Sequence, residues 1–302
     1  MAEAVIETRL RLPYELDLQA TLAPLWLGPG DPRMRFGTDS VARATRTPAG
    51  PASVLIERAG DGLRARAWGA GAGWALETLP ELLGGRDQPE LLEPRHPLIA
   101  TLVHQRPGLR MTRSGRVFEA LLPAIISQKV TGLEAHRSYR RLLAQWGEPA
   151  PGPLGLRLPP TPLTLARTPY WRFHPLGLEQ RRAEVVRAAA DIAERLEEIV
   201  DLSAEAARER LLLVRGIGPW TAAETMRVAL GDPDAVSVGD YHVPSLVAWA
   251  LAGEPRADDA RMLELLEPYR GQRARVVQLL EASGLQPPRY GPRLRVRAIG
   301  GI

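Results

Sequence analysis

The stretch Leu212 to Tyr241 constrains this chain more than any other. It reads as a helix, a turn Val214-Arg215-Gly216-Ile217-Gly218, a second helix opened by Pro219, and an isolated carboxylate in Ser-Val-Gly-Asp-Tyr-His. Gly216 and Gly218 permit positive φ and put no Cβ in the way of an approaching group. Pro219 sits where proline is favoured, at the first helical position, and Gly231 supplies the stop. The second helix then aims its first N–H groups and positive dipole end at whatever meets the turn, an arrangement suited to phosphate. Ile217 is expected to plug the core, with Arg215 and Thr221 as further phosphate contacts. The same glycines also suit a tight helical hairpin with no ligand.

Beyond Gly231, the apolar positions Val243, Leu246, Val247, Ala250 and Leu251 repeat at helical spacing, which puts Tyr241 and His242 in that helix's first turn. Asp240 just before it either caps the helix or acts on something held by the hairpin upstream.

Composition narrows the chemistry. Among 302 residues there is no cysteine, which removes disulfides, thiolate metal sites, iron–sulfur clusters and cysteine nucleophiles together. The five histidines lack metal-ligand spacing. A net charge of +4 and a pI near 9.8 suit a polyanionic partner. Arg106, Arg110, Arg113, Arg116, Lys129, Arg137, Arg140 and Arg141 face only Glu119 and Glu134 in residues 106–145, whereas residues 191–209 are acid-rich. That dipolar pattern could orient the molecule on DNA or be an ordinary solvated surface. Lys129 is the only lysine. No apolar run is long enough to cross a membrane, and the acidic start is unlike a signal peptide, so a cytoplasmic, nucleoid-associated monomer is expected.

Three segments are expected: a mixed α/β unit at 1–92, a helical unit at 93–290 and a basic tail at 291–302. In the first, Ser53 to Arg58 and Leu63 to Trp68 flank Ala-Gly-Asp-Gly as a hairpin, with Leu63, Ala65 and Ala67 on one face and Arg64 and Arg66 on the other. In the second, Val117, Phe118, Leu121, Leu122, Ile125 and Ile126 make a buried central helix containing Pro123 and ending at Gln128 and Lys129. Residues 147–162 hold too many prolines and glycines for a regular element. Helices follow at Glu179 to Val200, at Ala204 to Leu212 with Ser203 as N-cap, and at Gly271 to Ala282.

The segments VRGIGPWTAAE and SVGDYH resemble the helix–hairpin–helix DNA glycosylases, and the Trp after Gly-Ile-Gly-Pro is similar to their alkylpurine branch, the AlkA-type 3-methyladenine glycosylases II. FEALLPAIISQKV at Phe118 to Val130, LGLEQRRAE at Leu176 to Glu184 and Pro268-Tyr269-Arg270 extend the likeness from Pro94 to Leu280. The hairpin alone occurs in many DNA-binding proteins; hairpin plus Asp at this separation is far more specific. The resemblance implies a mainly α fold, a two-lobed helical core with a small N-terminal α+β domain. It also implies double-stranded DNA as partner, and an enzyme that flips out alkylated purines and hydrolyses the base–sugar bond.

In that reading Asp240 is catalytic, because a fixed carboxylate stabilises an oxocarbenium-like sugar. Trp220 walls the pocket, where an indole attracts a cationic base by about 0.5–2 kcal/mol. Tyr241 supplies a second aromatic surface and Gln128 lies near the flipped nucleotide. Lys129 stands where relatives often carry an apolar wedge. Trp220 also occupies the position of the Schiff-base lysine of bifunctional relatives, so hydrolysis without strand cleavage is expected. The resemblance implies no required cofactor, and a sodium or potassium ion on the hairpin carbonyls of Leu212, Val214 and Ile217. Gln278 and Glu224 depart from pocket aromatics of relatives, which leaves open a glycosylase for deaminated, oxidised or mismatched bases. A non-catalytic DNA-binding protein is the remaining alternative.

Overall fold

The computed structural model describes residues 4–288; the basic tail at 291–302 and the expected end of the helical unit at 290 lie outside the described residues. Five antiparallel strands, β1 (Val5–Leu10), β2 (Met34–Phe36), β3 (Ser40–Thr47), β4 (Gly50–Ala59) and β5 (Gly62–Trp68), form a sheet in the order β1-β5-β4-β3-β2. The β4–β5 hairpin turns at Gly60 and Asp61, where Gly60 takes a positive φ of 61° that its missing Cβ makes easy. Leu63, Ala65 and Ala67 are buried, while Arg64 and Arg66 reach across the other face to Glu57 at 3.2 and 2.9 Å. Alternation thus carries the inward face of β5 as expected.

The central helix, Val117–Ile126, is buried along almost its whole length despite Pro123 inside it. Its two ends are closed by distant side chains. At the start, the Val117 and Phe118 N–H groups donate to Glu197 Oε2 and Oε1 at 2.9 and 3.0 Å. At the end, the buried Arg182 guanidinium donates to the Ile126 carbonyl at 2.6 Å and also holds Glu179 and the Gly177 carbonyl. The motif LGLEQRRAE therefore serves as a clip on the central helix.

The sheet shares a core with the helices. Val41, Ile56 and Ala65 belong to the same cluster as Val117, Leu121, Ile125, Leu211, Ile217 and Met226. A second cluster joins Ile99 and Leu102 of helix Pro97–Gln105 to Val243, Val247, Met262, Leu266, Val276 and Leu280. The segment before Asp240 touches both clusters, Ala235 packing against the first and Val236 and Val238 against the second.

Charge is buried where sheet and central helix meet. Glu119 accepts from Arg43 at 2.9 Å, Thr45 at 2.7 Å and Arg33 at 3.3 Å. Arg33 also pairs with Asp31 at 3.3 Å and lies 5.1 Å over the Tyr139 ring. Burial opposes ionisation of Glu119, but Arg43 and Arg33 outweigh it and hold its carboxyl below the usual carboxylate range.

Several expectations are corrected. The helix expected from Glu179 to Val200 breaks at Ile192 into Gln180–Asp191 and Ala193–Glu197 followed by a tight turn at Glu198–Asp201. The region 147–162 is not wholly irregular: Glu148–Pro149 pairs with Arg157–Leu158 as a small ladder. The central helix ends at Ile126, so Gln128 and Lys129 lie just past it. Of the helices not singled out from the sequence, the longest are Pro97–Gln105, Gly132–Trp146 and Asp259–Leu266. The second carries a capping box between Thr131 and Glu134, a Thr-x-x-Glu signal legible in the chain.

Candidate active site

Helix Ala204–Leu212, capped by Ser203 as its sequence indicates, and helix Pro219–Ala229 flank the glycine turn. Gly216 has φ +90°, and a Cβ there would fall 2.3 Å from Val185 Cγ2. Its glycine is thus required by the fold. Gly218 has ordinary φ, and a Cβ added to it would meet nothing within 4 Å. Its glycine answers no need of the chain's own packing. It is the N-cap of Pro219–Ala229 and offers no side chain to the first N–H groups of that helix. Ile217 is buried and Arg215 exposed, while Leu213 beside the turn is 85% exposed.

Gln128 braces this turn from the segment just past the central helix. Its Nε2 donates to the Gly216 carbonyl at 3.0 Å and to Thr221 Oγ1 at 2.9 Å. Thr221 is accordingly buried, its hydroxyl turned to Gln128 and its carbonyl to Thr225 Oγ1, so its side chain is no surface phosphate contact. Next to Gln128, Lys129 is exposed and is the one non-glycine residue among those described with positive φ, at 56°. Such a backbone costs energy that the surroundings must supply.

Asp240 meets the start of the second hairpin helix. The Trp220 indole N–H donates to Asp240 Oδ2 at 2.9 Å, and Oδ1 accepts the N–H groups of His242 and Val243 at 2.7 and 3.0 Å. Asp240 therefore touches the hairpin helix and also holds the amides that lead into helix Val243–Ala252. That helix begins two residues later than its apolar spacing suggests, because Asp240 captures the amides that would otherwise open it. Tyr241 thus precedes the helix and His242 is its N-cap. Tyr241 is 76% exposed, edge-on to the His242 ring, and packs in no core.

The two pocket departures differ in placement. Gln278 is buried and donates to the Arg110 carbonyl at 3.3 Å. Glu224, one turn after Trp220, accepts from Ser237 and pairs with Arg227 at 3.2 Å, which in turn reaches Glu281 at 3.0 Å. Burial, and the carboxylates of Glu224 and Asp240, push the Glu281 carboxyl up despite Arg227. Sequence reasoning missed Ser237, Arg227 and Asp259, whose carboxylate takes the Gly239 N–H at 3.0 Å.

The basic run is partly internal. Arg106 and Arg113 hold carbonyls of Ala282, Leu230 and Val200, Arg116 pairs with Glu197, and Arg110 stacks on Tyr14. Only Arg137, Arg140 and Arg141, with Lys129, remain outward. A small cavity is lined by Arg43, Ile56, Trp74 and Ser114 and by none of the residues around Asp240.

A 3-methyladenine DNA-glycosylase from Archaeoglobus fulgidus superposes with a TM-score of 0.77 over 92% of this chain and 98% of its own, at 21% identity. The fold is that of the helix–hairpin–helix DNA glycosylases. The same glycosylase fold is seen in an 8-oxoguanine glycosylase/lyase from Clostridium acetobutylicum, in complex with double-stranded DNA, at a TM-score of 0.69 and 17% identity over 94% of this chain and 100% of that one. In sequence, a Bacillus subtilis protein provisionally named a DNA-3-methyladenine glycosylase is 25% identical over 178 residues, 57% of this chain. The chain spans 61% of that relative's length. No family profile matches the sequence. Among the described residues no helix is long and apolar enough to cross a membrane.

Proposed function

We propose that this protein is a monofunctional DNA glycosylase that flips alkylated purines out of double-stranded DNA and hydrolyses the base–sugar bond, leaving an abasic site. The observation that carries the reading is the contact of Asp240 with Trp220, which sets a carboxylate beside an aromatic wall at the mouth of a phosphate-type helix N-terminus.

The chemistry follows from the residues. The amides of Trp220 and Thr221 and the open surface at Gly218 receive a backbone phosphate, with Arg215 and Lys129 adding charge. The extruded base, cationic when alkylated at N3 or N7, lies against Trp220. An ionised carboxylate has about four acceptor positions, and Asp240 uses three on the chain's own N–H groups. Its orientation is fixed before the sugar arrives, so it stabilises positive charge developing at C1′ without reorganising. The cationic base leaves without strong acid help, and water completes the hydrolysis. Position 220 holds no amine, and Lys129 stands on a different loop, which supports hydrolysis without strand cleavage.

A sodium or potassium ion on the carbonyls of Leu212, Val214 and Ile217 fits this turn. The Val214 carbonyl accepts the Ile217 N–H at 3.0 Å and keeps a second lone pair. Such an ion would rigidify the phosphate grip. The protein acts as a monomer on DNA at the nucleoid.

Chromatography of bases released from methylated duplex tests the reading. Free 3-methyladenine or 7-methylguanine from wild type supports it, and release of none refutes it. Borohydride treatment during turnover traps no protein–DNA adduct; a trapped adduct refutes the monofunctional assignment.

A further inference from the structure

We propose that Glu224 is a positioning residue: it holds the catalytic carboxylate of Asp240 in register by clamping the loop that carries it onto the second hairpin helix. The proposal rests on the glycosylase reading above.

Between Gly231 and His242 the chain has no regular secondary structure, so on the helix Val243–Ala252 side Asp240 is held only through the His242 and Val243 amides. On the hairpin side it is held by a closed ring of hydrogen bonds. Trp220 and Glu224 are four apart on Pro219–Ala229 and face the same way. The Trp220 indole donates to Asp240 Oδ2. The Asp240 N–H donates to the Ser237 carbonyl at 3.1 Å, and the Ser237 hydroxyl donates to Glu224 Oε1. From helix to loop and back to helix, the ring contains the catalytic group.

The clamp is itself braced. Glu224 Oε2 takes the Arg227 guanidinium, which also holds Glu281 on helix Arg273–Ser283. Both Glu224 oxygens are thus committed to the chain's own groups. Ser237 is buried and Arg227 nearly so, which makes the Ser237–Glu224 bond hard to exchange for water. The helix that meets DNA through its N-terminus is therefore the same body that aims the carboxylate. An aromatic residue at position 224 could wall a pocket but could not accept the Ser237 proton.

The test compares wild type, Glu224→Ala, Ser237→Ala and the double variant. Single-turnover release of 7-methylguanine from methylated duplex is read beside equilibrium binding to duplex holding a tetrahydrofuran abasic analogue, with melting temperatures recorded. Each single change is expected to slow release about tenfold, the loss of one hydrogen bond to a charged acceptor. The double variant should be no slower than the slower single one, since both break the same bond. Binding to the abasic analogue should stay within about twofold of wild type by the same argument. Unchanged release, additive losses, or release and binding falling together would overturn the clamp. If Glu224→Ala fails to fold, Ser237→Ala alone carries the rate-against-binding comparison. Wild type releasing no base would instead overturn the glycosylase reading and the clamp's purpose with it, a result distinguishable from active wild type with unaffected variants.

Discussion

The indole N–H of Trp220 donates to Asp240 Oδ2 at 2.9 Å, joining residues on two elements into one unit. Trp220 therefore has two tasks, a stacking face and an orienting donor. Trp220→Phe keeps the first and loses the second. Excision should slow about 10-fold or more, in line with about 1.5–3 kcal/mol for a hydrogen bond to a charged group. Trp220→Ala should slow it further. Equal rates for the Phe variant and wild type in single-turnover assays would mean the indole N–H does not orient the carboxylate.

The two hairpin glycines separate folding from binding. Gly216→Ala combines positive φ with a clash on Val185 and should lower the melting temperature. Gly218→Ala meets nothing in the chain and loses only the N-cap preference for glycine over alanine, so its melting temperature should fall less than that of Gly216→Ala while affinity for duplex falls for all sequences alike. A Gly218→Ala protein that binds duplex as well as wild type would remove the phosphate from that surface.

Gln128→Ala removes both bonds that brace the hairpin from the turn after the central helix. At about 1 kcal/mol each, hairpin amides should exchange hydrogen faster and duplex affinity should drop several-fold. Unchanged exchange at residues 214–221 would show the turn to be rigid without it.

Glu119 predicts an acid-sensitive joint between sheet and central helix. Its carboxyl is lowered in the fold, so its contribution is complete above the unfolded value, about 4.3, and is lost as pH falls through the lower folded value. Glu119→Gln leaves Arg33 and Arg43 short of a charge and should cost about 3–5 kcal/mol at neutral pH. The gap in melting temperature between variant and wild type should narrow as pH falls below that unfolded value and close once pH passes the lower folded one. A gap independent of pH would mean Glu119 is not ionised against those arginines.

Local signals made much of this fold legible. The alternation in β5, the Ser203 cap, Pro219 as first helical residue and Ile217 as a plug all follow from residues close in the chain. What stayed hidden depends on partners far away in sequence. Thr221 looks like a surface hydroxyl until Gln128, from the turn after the central helix, is placed on it. Arg113 and Arg116 count as basic surface until the Leu230 and Val200 carbonyls and Glu197 are brought to them. Glu224 reads as an aromatic lost from a pocket until Ser237 folds back over it. Asp240 was visible as an isolated carboxylate, but periodicity alone could not show that its capture of the His242 and Val243 amides delays the helix.

The central claim is that the charge of Asp240 drives base release. Asparagine retains an oxygen for the His242 and Val243 amides but turns an NH2 donor toward the Trp220 indole N–H, so Asp240→Asn removes the charge together with that one bond, and Trp220→Phe measures the bond alone. Release of 3-methyladenine from methylated duplex, measured in single turnover, should fall about 10²–10³-fold in Asp240→Asn, well beyond the loss in Trp220→Phe. Equal rates from wild type and Asp240→Asn would contradict the account.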